Sequence, residues 1–169
     1  PGSDMDDPKR LVFLGTQINH SLSTSNGQVM PLRTGYDEKL VERCSDMYAS
    51  TAEQDGVVTD VNDFGITVTY SDGSTKQVEI GRRYGSSGGF NTAHDITTHL
   101  KKGDKVKKGD AIAYNSDFFT SDPMKPGKLA MKTGVLGKVA LIEHPYTFED
   151  STAITRKFGE NTRVKTVVK

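Results

Sequence analysis

From residue 56 onward, β-branched and apolar residues alternate with polar ones in short runs, and small turn-forming residues break the pattern at close intervals. Gly56-Val-Val-Thr-Asp-Val61, Gly65-Ile-Thr-Val-Thr-Tyr70 and Lys76-Gln-Val-Glu-Ile80 carry the near period-two signal of half-buried strands. Between them, Asn62-Asp-Phe-Gly65 and Ser71-Asp-Gly-Ser74 are rich in residues that cap their own backbone or tolerate positive φ. The pattern predicts a three-stranded meander. Residues 81–92 read instead as a surface loop, with three glycines and three serines or threonines from Gly85 onward. The Arg82-Arg83 pair at its base has the chemistry to meet phosphate, although a surface connection is the reading favoured. Next comes a tandem repeat, Lys101-Lys-Gly-Asp104 and Lys107-Lys-Gly-Asp110, six residues apart, with Val106 and Ile112 as apolar anchors. Each Gly-Asp predicts a tight turn beside a short strand. The lysines suit a phosphate backbone, but alternating with Asp104 and Asp110 they read more simply as a solvated edge that discourages strand aggregation.

Helical signals are short. Residues 37–43 are good helix formers, with Glu38 and Glu42 on one face and Leu40 to pack inward. Residues 151–158 predict a second helix, with Ser151 as N-cap and Ile154 and Phe158 on one side. Residues 161–169 alternate β-branched and basic residues and read as a strand. Before these, residues 138–142 form an apolar, buried-looking strand that runs through a His144-Pro-Tyr turn into adjacent Glu149 and Asp150. Two acids at a strand end suit a divalent cation such as magnesium, which takes oxygen ligands. They also suit a solvated turn or the first turn of a helix, the commoner reasons for an isolated pair.

Composition narrows the classes. With 169 residues the chain is one domain or two small ones, and 34% apolar with 8% aromatic residues implies a limited core. Charge is balanced, 22 basic against 22 acidic residues, which excludes a simple cationic nucleic-acid binder; any such contact must be local. The longest apolar runs are too short to cross a bilayer. Cys44 is the single cysteine, so no internal disulfide forms and a reducing compartment is expected. His20, His94, His99 and His144 have no zinc spacing. Pro1-Gly2-Ser3 reads as a scar of protease cleavage, and without an initiating methionine the chain is expected to be cut from a longer protein.

Several motifs in a fixed order add a more specific reading. Asp6-Asp7-Pro8-Lys9-Arg10 followed by Gln17, then Gly56-Val-Val, Val106-Lys-Lys-Gly-Asp-Ala-Ile-Ala113, Gly127-Lys-Leu-Ala130 and Phe148-Glu-Asp-Ser151, together resemble the bacterial-type RNA polymerase β subunit. The resemblance implies a mainly β fold: partial double-psi β-barrel strands with an inserted barrel-sandwich hybrid domain and one or two short helices. After the scar at 1–3, residues 4–51 would be the N-terminal part of the barrel region and 52–116 the insert. Residues 117–169 would form the connection and further barrel strands carrying the Phe-Glu-Asp loop. By the same resemblance, Glu149 and Asp150 lie near the second Mg2+ and the nucleotide phosphates, as catalytic acids acting on the metal directly or through water. Arg10 contacts the substrate phosphates, and Gln17, Asn19 and His20 contact nucleic acid. The main metal ligands belong to a β′ subunit, so this chain alone is expected to be inactive. Its implied partners are the remaining β-like segment, the β′-like subunit, DNA template, RNA and nucleotides, in the cytoplasm. Asn19 or His20 replaces a second basic residue of the family pattern, and His144-Pro-Tyr stands where cellular enzymes have Pro-Trp. Such drift points to a bacteriophage enzyme.

A different class remains beside this one: a biotinyl or lipoyl-type carrier, or a non-catalytic β-rich interaction module. Ala130-Met131-Lys132 matches the tripeptide around the modified lysine of carriers. In carriers that lysine follows the Gly-Asp strand closely in a tight hairpin, whereas here residues 116–128 intervene.

Overall fold

The computed structural model describes residues 12–13, 23–33, 35–87, 90–125, 127–149 and 151–164. Along the chain run β1 (Gln28–Val29), α1 (Tyr36–Arg43), β2 (Ala49–Thr51), β3 (Gly56–Asn62), β4 (Gly65–Tyr70) and β5 (Thr75–Glu79). After them come β6 (Gly81–Ser87), β7 (Phe90–Thr97), β8 (Lys105–Val106), β9 (Ala111–Asn115), β10 (Phe119–Ser121), β11 (Leu129–Gly134) and α2 (Arg156–Asn161). The fold is mainly β, built as three antiparallel sheets with strand orders β1-β11-β10, β2-β9-β7-β6 and β5-β4-β3-β8.

The meander β3-β4-β5 forms where the sequence pattern predicts it, with turn chemistry holding the register. Asn62 Oδ1 accepts from the backbone N–H of Phe64 at 2.9 Å and of Gly65 at 3.0 Å, closing the first turn. Asp72 Oδ1 accepts from Ser74 N at 2.9 Å, with Gly73 at φ 85 completing the second. On the central strand, Ile66 and Val68 are fully buried, and they meet Val58, Tyr70, Val78, Ile96, Val106 and Ile112 in one apolar cluster. A second cluster, formed by Val41, Ala49, Ala111, Tyr114, Phe119 and Leu129, lies beneath α1. The strand β9 is buried at all five positions and serves both clusters, Ile112 and Ala113 entering the first and Ala111 and Tyr114 the second. An ion pair fastens the segment after β1 to the β10–β11 hairpin. Arg33 holds the buried Asp122 through both carboxylate oxygens, at 3.1 and 3.0 Å, and keeps that carboxyl below the usual carboxylate range.

Four local expectations need correction. Residues 81–87 and 90–92 are not loop but strand, β6 and the start of β7, registered from Gly81↔Ile96 to Ser87↔Phe90. Glycine and serine weaken a strand on their own, but a full ladder and the cross-strand pair Arg82–Asp95 outweigh that propensity. In α1 the deeply buried residue is Val41, at 6% exposure, with Leu40 only half-buried, because the cluster under the helix faces Val41. The last helix starts at Arg156, and its cap is Thr155, whose Oγ1 accepts from Phe158 N at 3.2 Å. Ser151 is occupied elsewhere, exchanging hydrogen bonds with the backbone of Phe148. Residues 161–164 are consequently a helix end rather than a strand; 165–169 lie outside the described residues.

The largest departure concerns residues 138–142, which form no strand and are not buried. Val139, Leu141 and Ile142 are 89%, 100% and 70% exposed. Apolar content makes a strand only when a neighbour completes its backbone hydrogen bonds, and none of the described strands pairs with this run.

Candidate functional site

Described residues between β11 and α2 form no regular element. They are organised by two successive turns. Thr147 N donates to His144 O at 3.1 Å, and Ser151 N to Phe148 O at 3.3 Å. Glu149 follows Phe148 in the second turn with φ 52, and among the described residues it alone is a non-glycine with positive φ. That left-handed conformation costs a glutamate about 1 kcal/mol or more, a strain that tends to collect at functional sites. Its carboxylate is exposed and makes no hydrogen bond or ion pair with the described residues. Tyr146 and Phe148, 88% and 81% exposed, flank it.

Of the other residues singled out in the sequence, Asp150, Arg10, Gln17, Asn19 and His20 lie outside the described residues. Described residues 25–28 do meet the segments on either side of Glu149. Ser25 N and Oγ donate to Arg163 O at 2.8 and 3.0 Å, and Asn26 Nδ2 donates to Asn161 Oδ1 at 3.3 Å. Leu136 N also donates to Gln28 Oε1 at 2.9 Å. Among the described residues, no three His, Cys, Asp or Glu side chains gather to hold a metal ion. Glu149 is thus part of no self-sufficient metal site among the described residues. No helix among the described residues is long and apolar enough to cross a membrane.

Two sequence candidates are engaged structurally. Lys132 sits inside β11 between β1 and β10, and its ammonium donates to the Ser116 carbonyl, so it is not the free tip of a hairpin that carrier modification requires. Arg82 is held by both oxygens of Asp95 at 2.8 and 3.1 Å, while Arg83 lies 3.9 Å from Glu79. Burial raises the Cys44 thiol pKa, making it a poor nucleophile.

A buried polar centre escaped the sequence reading. Asn115, fully buried, accepts from Asp117 N through Oδ1 at 2.9 Å, which assigns Nδ2 as the group facing His94 Nδ1 at 2.8 Å. Nδ1 must therefore be unprotonated, and the proton sits on Nε2, 3.2 Å from Thr92 Oγ1. Burial depresses the His94 pKa; Arg83 pushes the same way, against the opposing carboxylates of Asp117 and Asp95. Tyr48 packs edge-on to the imidazole at 5.6 Å and Phe118 stacks at 6.4 Å. The two polar residues are 21 positions apart, and no local motif links them.

No protein-family model matches the chain. Over 157 residues it is 29% identical to the DNA-directed RNA polymerase subunit beta of Thermus aquaticus, and 28% identical to the same subunit from each of two strains of Thermus thermophilus. Those 157 residues are 93% of this chain but 13% of each relative, so the chain spans only about an eighth of their length. Across nearly all of its own length, the chain is thus similar to one segment of a bacterial RNA polymerase β subunit.

Proposed function

We propose that this chain is part of the β-like subunit of a DNA-directed RNA polymerase and contributes to the nucleotide side of its active centre. The similarity over 93% of the chain to relatives bearing that name carries the reading. In this reading, residues 4–51 and 117–169 supply strands of a double-psi β-barrel and 52–116 form an inserted barrel-sandwich hybrid. The concentration of the first apolar cluster within residues 52–113 supports that division. Glu149 and Asp150 lie beside the nucleotide phosphates and a second Mg2+, touching the metal through water. The Glu149 carboxylate, exposed and without a partner among the described residues on a strained turn, supports this role. When bound, Mg2+ neutralises charge on the phosphates during nucleotidyl transfer. Arg10 supplies a planar bidentate donor to those phosphates, and Gln17, Asn19 and His20 contact the RNA–DNA hybrid. The contacts of Ser25 and Asn26 with residues 161–163 support convergence of the N-terminal region on the segment after Glu149. The principal metal ligands come from a β′-like partner, and this chain alone is inactive.

The test is templated RNA extension by the assembled parent enzyme, comparing wild type with Glu149→Ala, Asp150→Ala and Arg10→Ala across magnesium and nucleotide concentrations. Loss of one preorganised charge at a reacting phosphate costs about a hundredfold in rate, so a fall of that order with assembly intact is expected. Undiminished extension by all three variants would reduce Glu149-Asp150 to a structural turn and remove the assignment.

A further inference from the structure

The sheet β5-β4-β3-β8 ends at β8, and the two Lys-Lys-Gly-Asp turns flank that short edge strand. Each turn directs its aspartate back onto its own backbone. Asp104 Oδ2 accepts from Lys101 N, and Asp110 Oδ2 from Lys107 N, both at 2.8 Å, with Gly103 and Gly109 at φ 94 and 83. The other oxygen of Asp110 takes the Lys128 ammonium at 2.8 Å, and Asp55 Oδ1 accepts from Lys108 N at 2.9 Å. The nearby carboxylates are thus committed to backbone N–H groups, to Lys128 and, for Glu42 beside Gly109, to Lys39, while Lys107 acts on Asp110 without forming a close ion pair. Lys101, Lys102, Lys105, Lys107 and Lys108 are exposed, and among the described residues none of their ammonium groups makes an ion pair. By contrast Lys39, Lys76, Lys125 and Lys128 are each paired with a carboxylate.

Edge protection alone does not call for this arrangement. A two-residue strand bounded by glycine turns offers little backbone to an incoming strand, and one lysine suffices to blunt it. A protein partner would want a large apolar anchor at the centre of its interface, yet Val106 between the lysines is only 3% exposed, and Val57, the cross-strand partner of Lys105, offers one small side chain at 39% exposure. A row of point charges without an anchor suits evenly repeated phosphates read without regard to sequence.

We propose that the β8 edge, through Lys101, Lys102, Lys105, Lys107 and Lys108, binds the phosphate backbone of nucleic acid. This surface would bind whether or not Glu149 serves a polymerase centre. With balanced overall charge the contact is weak and local.

The experiment is fluorescence anisotropy of the full 169-residue chain against labelled mixed-sequence single-stranded DNA, duplex DNA and RNA. Neutralising about three phosphates predicts a roughly 20- to 40-fold loss of affinity between about 50 and 200 mM salt. The triple variant Lys105→Gln/Lys107→Gln/Lys108→Gln should bind at least about tenfold more weakly with its circular dichroism unchanged. Lys157→Gln, which removes an exposed lysine of α2, should bind as wild type. If the triple variant misfolds, Lys101→Gln/Lys102→Gln on the first turn gives the same reading. Absence of binding to any of the three nucleic acids, or wild-type affinity in folded lysine variants, would overturn the proposal. Binding of poly-glutamate in place of nucleic acid would also overturn it and point to an acidic protein partner. So would aggregation of the variants when the wild-type chain binds no nucleic acid, which would leave edge protection as the lysines' role.

Discussion

Replacing Ile112 by alanine tests whether β9 is a core strand of the first apolar cluster. Ile112 is fully buried. Truncation removes three carbons, worth about 0.8 kcal/mol each in transfer free energy, or roughly 2.4 kcal/mol. The hole adds to this because the strand cannot easily move to fill it. Flanking residues Ala111 and Ala113 are paired to Thr51 and Ser50 of β2, and the Ile112 carbonyl accepts from Thr98 Oγ1 at 2.6 Å. The total loss should be about 3 to 4 kcal/mol, within the range for buried Ile-to-Ala changes. Urea unfolding of the full chain followed by circular dichroism measures it. With a slope of about 2 kcal/mol/M, the midpoint should fall by roughly 1.5 to 2 M. Val57→Ala on β3, at a position 39% exposed, provides the contrast and should cost less than about 1 kcal/mol. If Ile112→Ala costs no more than Val57→Ala at equal slope, β9 is not a core strand of the first cluster.

Two further outcomes follow from the packing. Because burial depresses the His94 pKa, the unfolded chain takes up its proton first as the pH falls. Stability should hold above the unfolded value near about 6.5, decline below it, and level off once folded His94 also protonates; His94→Gln should flatten that decline, and an unchanged pH slope would refute the role. Gly56→Ala should destabilise the chain by about 1 to 3 kcal/mol in thermal unfolding, since its Cβ would come within 2.5 Å of the Thr69 carbonyl oxygen and 3.1 Å of Tyr70 Cα, backbone atoms locked in the β3–β4 ladder. A neutral result would show that the two strands separate more freely than their pairing suggests.

Local chemistry determined the meander and the twin Gly-Asp turns. Asn62, Asp72, Asp104 and Asp110 each bond to backbone within three residues, so neighbouring residues alone specify those turns. Glu149 also stood out in the sequence, through its motif, but its positive φ became visible only in the folded turn. Tertiary structure decided what depends on distant partners. The β6–β7 hairpin exists because a ladder and the Arg82–Asp95 pair override weak strand propensity. His94 is buried, with its pKa lowered by that burial, only because distant segments pack over it, Asn115 meeting its Nδ1 from 21 residues away. Residues 138–142 carry a strand's apolar sequence yet stay exposed beside no described strand, because burial requires a neighbour to satisfy the backbone and cover the side chains. Sequence by itself thus determined the short-range turns and strand tendencies, whereas pairing between distant segments decided which tendencies became structure.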